Sequence, residues 1–246
     1  MYKSIFHFGR YLLMLRRLFQ STERFPIYWK STISEMVSIG VSSIVIVLIT
    51  SVFIGAVTTV QTAYQLVSGF IPKSAIGAVV SASALLELAP TITSLVLAGK
   101  IGSNIASQLG TMRVSEQIDA LEVMGINSTS YLILPKIIGA VLAFPMLVII
   151  AAFVIHVGGI VAGDLTGEVT HYQFAVGAQS NFTNFQLNFM LIKATSFGFI
   201  ISSISSYEGF NVEGGALEVG QASTRAVVYS CIIILLADYL LAQLLL

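Results

Sequence analysis

Glu87, Lys193 and Asp238 each stand alone in a long stretch otherwise free of Asp, Glu, Lys and Arg. Glu87 is the sole charge between Lys73 and Lys100, Lys193 between Glu168 and Glu208, and Asp238 after Arg225. One ammonium and two carboxylates can form a buried ion network, a proton relay or the charged wall of a polar cavity. At lipid depth each unpaired charge costs about 2.5–3.5 kcal/mol on insertion scales, so the three are expected to pair or to face water. Counted from the outer ends of their apolar runs, Lys193 and Asp238 both lie about 12 Å deep at ~1.5 Å per residue, and Glu87 roughly one turn deeper. Two carboxylates around one ammonium leave an excess negative charge, so one carboxyl is expected to hold or share a proton. The plainer alternative is an ion network that only fixes helix packing.

Other chemistry has less support. Pro90, three residues beyond Glu87, removes a backbone hydrogen bond and is expected to kink its helix beside the acid. His156 and His171 stand in unrelated settings and read as ordinary residues, and the chain shows no cluster of His, Cys and carboxylates at metal-ligand spacing. No G-x-S-x-G segment marks a serine hydrolase. The Gly99-Lys100 pair is followed by Ile101, so the chain has no P-loop and any ATP chemistry must come from a partner.

The elements that must hold these residues follow from composition. Of 246 residues 56% are apolar and 10% charged, far below the ~25% charge of soluble domains. Twelve basic residues balance twelve acidic ones, which removes any argument for nucleic-acid binding, and the one cysteine, Cys231, cannot form an intrachain disulfide. A helix crossing the membrane needs about 20 mostly apolar residues, and five such runs occur, at about 36–60, 74–99, 137–163, 185–206 and 226–246. The expected fold is an all-α membrane protein, with a cytoplasmic N-terminal segment (1–35), a five-helix domain (36–246) and a loop at 100–136 between the second and third spans. Ten Lys and Arg fall on one side of these spans, and Lys73 alone on the other. That asymmetry predicts a cytoplasmic N-terminus and an outer C-terminus.

Lys3, Arg10, Arg17 and Arg24 recur every seven residues, opposite Ile5, Phe8, Leu12, Leu15 and Phe19. This pattern predicts a helix lying in the membrane interface, the alternative being an amphipathic helix packed on its own protein. Gly159 and Gly163, four apart, permit close helix approach. In the loop, Ser115 to Gly125 reads as a short helix with Glu116, Asp119 and Glu122 on one side, Ile118, Leu121 and Met124 between them, and Gly125 as its stop. Exposed apolar residues on such a helix suggest docking into a partner's groove.

The stretches Leu86-Glu87-Leu88-Ala89-Pro90, Leu97-Ala98-Gly99-Lys100-Ile101-Gly102-Ser103, Leu109 to Leu121, Met124-Gly125 and Leu134-Pro135 closely resemble the MlaE family of lipid-transport ABC permeases. So do Gly209-Phe210-Asn211, Gly214-Gly215-Ala216 and Ala222 to Val228 running into Asp238, and Gln61 fits a glutamine usual near the end of the family's first span. The resemblance implies a homodimer with an interfacial N-terminal helix and five membrane helices per copy, enclosing a lipid cavity. It implies that an ABC ATPase dimer, which binds ATP and Mg, docks on the cytoplasmic face, with Ser115, Glu116, Gln117, Asp119, Leu121, Glu122, Met124 and Gly125 in the coupling helix. A periplasmic MCE-domain lipid-binding protein would sit on the outer face, with Glu87, Lys193, Asp238, Gln61 and Pro90 at the membrane interior. The implied task is to move phospholipid between the bacterial inner membrane and the MCE protein, which contributes to outer-membrane lipid homeostasis. The alternative is a proton-coupled secondary transporter using Glu87 and Asp238, although no inverted repeat is evident.

Overall fold

A computed structural model describes residues 2–18, 25–66 and 72–245, with the side chains of 2–5, 8 and 25–27 excepted. Phe19 and Arg24 lie outside the described residues, as do the side chains of Lys3, Ile5 and Phe8. All regular structure among the described residues is helical. The elements are α1 (Tyr2–Arg17), α2 (Phe25–Gln65), α3 (Ser74–Val114), α4 (Gln117–Val123), α5 (Ser128–Thr166), α6 (His171–Ser180), α7 (Asn184–Phe210) and α8 (Ala216–Leu245). Helices α2, α3, α5, α7 and α8 are long and apolar enough to cross a membrane, and the chain is a multi-pass membrane protein.

These helices are longer than the apolar runs that mark them. Helix α5 has 39 residues, about 58 Å at 1.5 Å per residue, against ~30 Å of hydrocarbon. Most of the stretch 100–136 is accordingly helix: α3 continues to Val114 and α5 starts at Ser128. Charges such as Lys100 and Lys136 mark the end of an apolar run, whereas a helix ends where its backbone finds other partners.

The chain forms two compact units, and each long helix contributes a stretch to both. The first comprises Met1–Val41, Leu97–Ala143 and Phe197–Ala237. In it α1 packs on α7: His7 Nδ1 lies 3.0 Å from the Tyr207 hydroxyl, Tyr11 bonds Ser203 at 2.8 Å, and Arg10 donates to Asn211 at 3.1 Å. Met14 and Leu18 bury on the same side, while Phe6, Leu12 and Leu13 stay exposed. The face used for packing thus lies beside the apolar face read from the sequence, and one of the basic residues, Arg10, turns to a protein partner. Gly209 brings α7 against the backbone of Ala106 in α3.

The second unit comprises Ser42–Val96, Phe144–Ser196 and Asp238–Leu246. Its glycines let backbones touch. A Cβ on Gly55 would strike the Ile155 carbonyl, and one on Gly158 the backbone of Val52, so α2 and α5 cross with nothing between them. Gly77 and Gly177 make the same reciprocal contact between α3 and α6. Gly159 meets side chains instead, those of Thr59 and Phe174, and Gly163 meets the side chain and carbonyl of Val169. Ala63, Ile76, Val80, Val169 and Phe174 form a buried cluster here. Helix α6 opens on a capping box, in which Thr170 accepts from the Gln173 N–H and Gln173 accepts from the Thr170 N–H.

Candidate functional site

Lys193 on α7 is fully buried. Its ammonium has three hydrogens to donate and meets three acceptors: Glu87 Oε1 at 2.6 Å, Asp238 Oδ1 at 2.7 Å and the Leu86 carbonyl at 3.0 Å. The Phe189 ring, one turn back on α7, lies under the charge with its centroid 4.6 Å away. Thr91, one turn beyond Glu87 on α3, points its hydroxyl at both acids, 3.2 Å from Glu87 Oε2 and 3.0 Å from Asp238 Oδ1. All of these residues belong to the second unit.

The cluster is closed at one end and open at the other. The Lys193 side chain is 0% exposed, Asp238 17% and Glu87 46%. Its positive centre is therefore sealed among helices, and its open edge is the Glu87 carboxylate. A cation held this way keeps its acceptors fixed, while one carboxylate oxygen edge remains available to a polar group from outside.

Helix α3 passes this site in an unusual form. Ala84–Ile92 is a π-helical turn containing both Glu87 and Pro90, and a second π stretch follows at Ala98–Gly102. Pro90 lacks an N–H, and its ring would crowd the carbonyl four residues back in an ordinary α-helix. The wider π turn accommodates it, and such bulges recur at functional sites. Gln61 is exposed on α2 and takes no part in the hydrogen bonds of the three charges.

The second candidate region is α4. It is entered through Glu116 with a positive φ of 58° and left through Gly125 at 79°. The exit is a Schellman motif: the Gly125 N–H bonds the Glu122 carbonyl at 2.9 Å and the Ile126 N–H bonds the Leu121 carbonyl at 3.1 Å. Ile118 buries completely and anchors the element, and Leu121 is half-buried. Arg113 pairs with Asp119 at 2.5 Å, and Ser128 donates to Glu122 at 2.7 Å. Ser115, Glu116 and Gln117 are exposed, as are Val123 at 89% and Met124 at 66%. The helix is thus held from below and presents apolar and acidic side chains outward.

Sequence reasoning missed Thr91, the Leu86 carbonyl and Phe189. It also missed a second, part-buried ion pair in the first unit, where Lys136 meets Glu35 at 2.6 Å and Gln108 at 2.7 Å. Thr91 at i+4 from Glu87 was the available signal for the first. Lys136 gave none, because its partners lie far off in the chain.

Comparison with known proteins bears on the same residues. The family described as Permease MlaE matches residues 32–244, which include the charge cluster and α4. A probable ABC transporter permease protein of Rickettsia bellii is 36% identical over 96% of this chain and 91% of its own length. The chloroplastic protein trigalactosyldiacylglycerol 1 of Arabidopsis thaliana is 35% identical over 88% of this chain and 62% of its own. The intermembrane phospholipid transport system permease protein MlaE of Haemophilus influenzae is 29% identical over 90% of this chain and 84% of its own. With five membrane-length helices and a family match that runs almost from end to end, the chain belongs to the MlaE permease family.

Proposed function

We propose that this chain is the membrane subunit of an ABC transporter that moves phospholipid or a related lipid between the bacterial inner membrane and a periplasmic MCE-domain protein, contributing to outer-membrane lipid homeostasis. The observation that carries the reading is the family match over the whole spanning region, joined to relatives named as ABC permeases and, in Haemophilus influenzae, as a phospholipid transport permease. Two copies form the lipid cavity, and Glu87, at the open edge of the Lys193 cluster, is the group that a lipid's polar part meets. Gln61 and Pro90 belong to the same membrane interior. A separate ATPase dimer, holding ATP and Mg, docks on α4, with Val123 and Met124 entering its groove and the acidic residues at the rim. The basic asymmetry of the sequence supports a cytoplasmic α4 and N-terminus and a periplasmic C-terminus. Relatives named as ABC permeases do not favour a proton-coupled secondary transporter.

Cysteines introduced singly at Glu116, Asp119, Val123 and Met124, in a chain whose Cys231 is replaced by serine, test both docking and orientation. Expression with the ATPase should give crosslinks to it from this face, since an ATPase reaches only cytoplasmic residues. Failure at all four positions, in complexes that still contain the ATPase, would overturn the docking and the orientation together.

A further inference from the structure

A cavity of about 310 Å³ opens among α3, α5 and the end of α6, all within the second unit. Its walls are apolar: Leu85 of α3, Ala152 and Phe153 of α5, Ala178 of α6 and Phe182 just after it. Phe153 and Phe182 are exposed, so the space is a groove rather than a sealed void. That is about ten times the ~30 Å³ a water occupies in the liquid, so the groove is larger than a site for one or two waters.

Ser81 and His156 also line the groove, and an ionisable ring at lipid depth calls for a partner. Nδ1 of His156 lies 2.7 Å from the Ala152 carbonyl and Nε2 lies 2.9 Å from Ser81 Oγ. A carbonyl only accepts, so Nδ1 carries the hydrogen; in the neutral ring Nε2 then accepts, and the Ser81 hydroxyl donates to it. Both donors of the pair are consumed within the protein. A phosphate or carboxylate entering the groove finds no N–H or O–H from this pair, whereas an apolar chain needs none. The third polar lining residue, Gln179, is exposed. Leu85, Ala152 and Phe153 belong to helices long and apolar enough to cross a membrane, while Ala178 and Phe182 lie between two such helices. The groove thus runs from a spanning pair toward the end of the apolar run, where a lipid chain leaves its headgroup.

We propose that this groove binds one acyl chain of a membrane lipid, with the headgroup left outside. The site is separate from the Lys193 cluster in its residues and does not depend on ATP-driven transfer.

The test uses the full chain in vesicles of phosphatidylethanolamine and phosphatidylglycerol containing a trace of phospholipid with a diazirine in mid-chain. After irradiation, adducts mapped by mass spectrometry should concentrate at Leu85, Phe153 and Phe182, several-fold above the exposed Ile49 of α2 and Leu235 of α8. A phospholipid with the diazirine in its headgroup should show no such excess. Ala152→Leu and Ala178→Leu, which fill the groove, should lower its labelling and leave that of Ile49 unchanged. Equal labelling of groove and exposed positions in the unaltered protein, an excess from the headgroup probe, or no response to filling in folded variants would each overturn the proposal. Should the filling variants misfold, the ratio in the unaltered protein decides alone.

Discussion

Lys193 donates to three different acceptors and is buried completely, so its partners are not interchangeable. Removing the cation leaves Asp238, only 17% exposed, with Thr91 as its remaining donor. Breaking a buried pair from one side costs about 3–5 kcal/mol, so Lys193→Met is expected near that range. Glu87→Gln removes the half-exposed partner and leaves Lys193 with Asp238 and the Leu86 carbonyl. The order of destabilisation should be Lys193→Met, then Asp238→Asn, then Glu87→Gln, read from thermal unfolding of the purified protein in detergent. A Glu87→Gln protein as unstable as Lys193→Met would contradict the hierarchy. The three charges could be read in advance because charge is scarce in apolar runs and each residue stood alone. Thr91 offered only its i+4 spacing from Glu87, a weak mark because threonines are ordinary in membrane helices, and only the fold brings it between two acids. Lys136 was read as a loop boundary; its partner Glu35 lies 101 residues away and Gln108 28 away, so only tertiary structure shows the charge to be buried.

At the scale of elements, helix packing in lipid depends on contact area because there is no hydrophobic drive between helices. Gly158 and Gly177 place the backbones of two helices in direct contact, and a backbone neighbour cannot turn aside as a side chain does. Gly158→Leu and Gly177→Leu should each cost at least about 1–3 kcal/mol of overpacking. Gly40→Ala, with no neighbour within 4 Å of an added Cβ, should be close to neutral. Size-exclusion profiles recorded after heating will rank the variants; a Gly158→Leu protein as stable as Gly40→Ala would disprove the close crossing of α2 and α5. Composition pointed to the number and order of the long helices, since each needs an apolar run. The helices run on past Lys100 and Lys136, where the apolar runs end, because polar residues continue a helix without difficulty. Helix α6 did leave a mark in the sequence, since Thr170 and Gln173 stand at capping-box spacing, but a ten-residue helix carries no apolar run long enough to announce it. The π turn at Pro90 has no sequence mark beyond the proline, which suits a kink equally well.

For the whole molecule, the balance of twelve basic and twelve acidic residues hides how unevenly they lie. Lys193, Glu87 and Asp238 are gathered at one point among α3, α7 and α8, Lys136 and Glu35 form a second, part-buried pair, and Glu116, Asp119 and Glu122 lie on or just before the short helix α4. In the proposed function, α4 is where a separate ATPase docks, apart from the charges gathered around Lys193. As proposed, this chain moves phospholipid with an ATPase by way of the Lys193 cluster. The most direct test is transfer of labelled phospholipid from vesicles holding the assembled complex, followed with and without ATP. The account predicts transfer that requires ATP, and that falls to background when Glu87→Gln, Lys193→Met and Asp238→Asn are combined in a complex that remains folded and still binds its ATPase. Transfer indifferent to ATP, or undiminished in that variant, would contradict it.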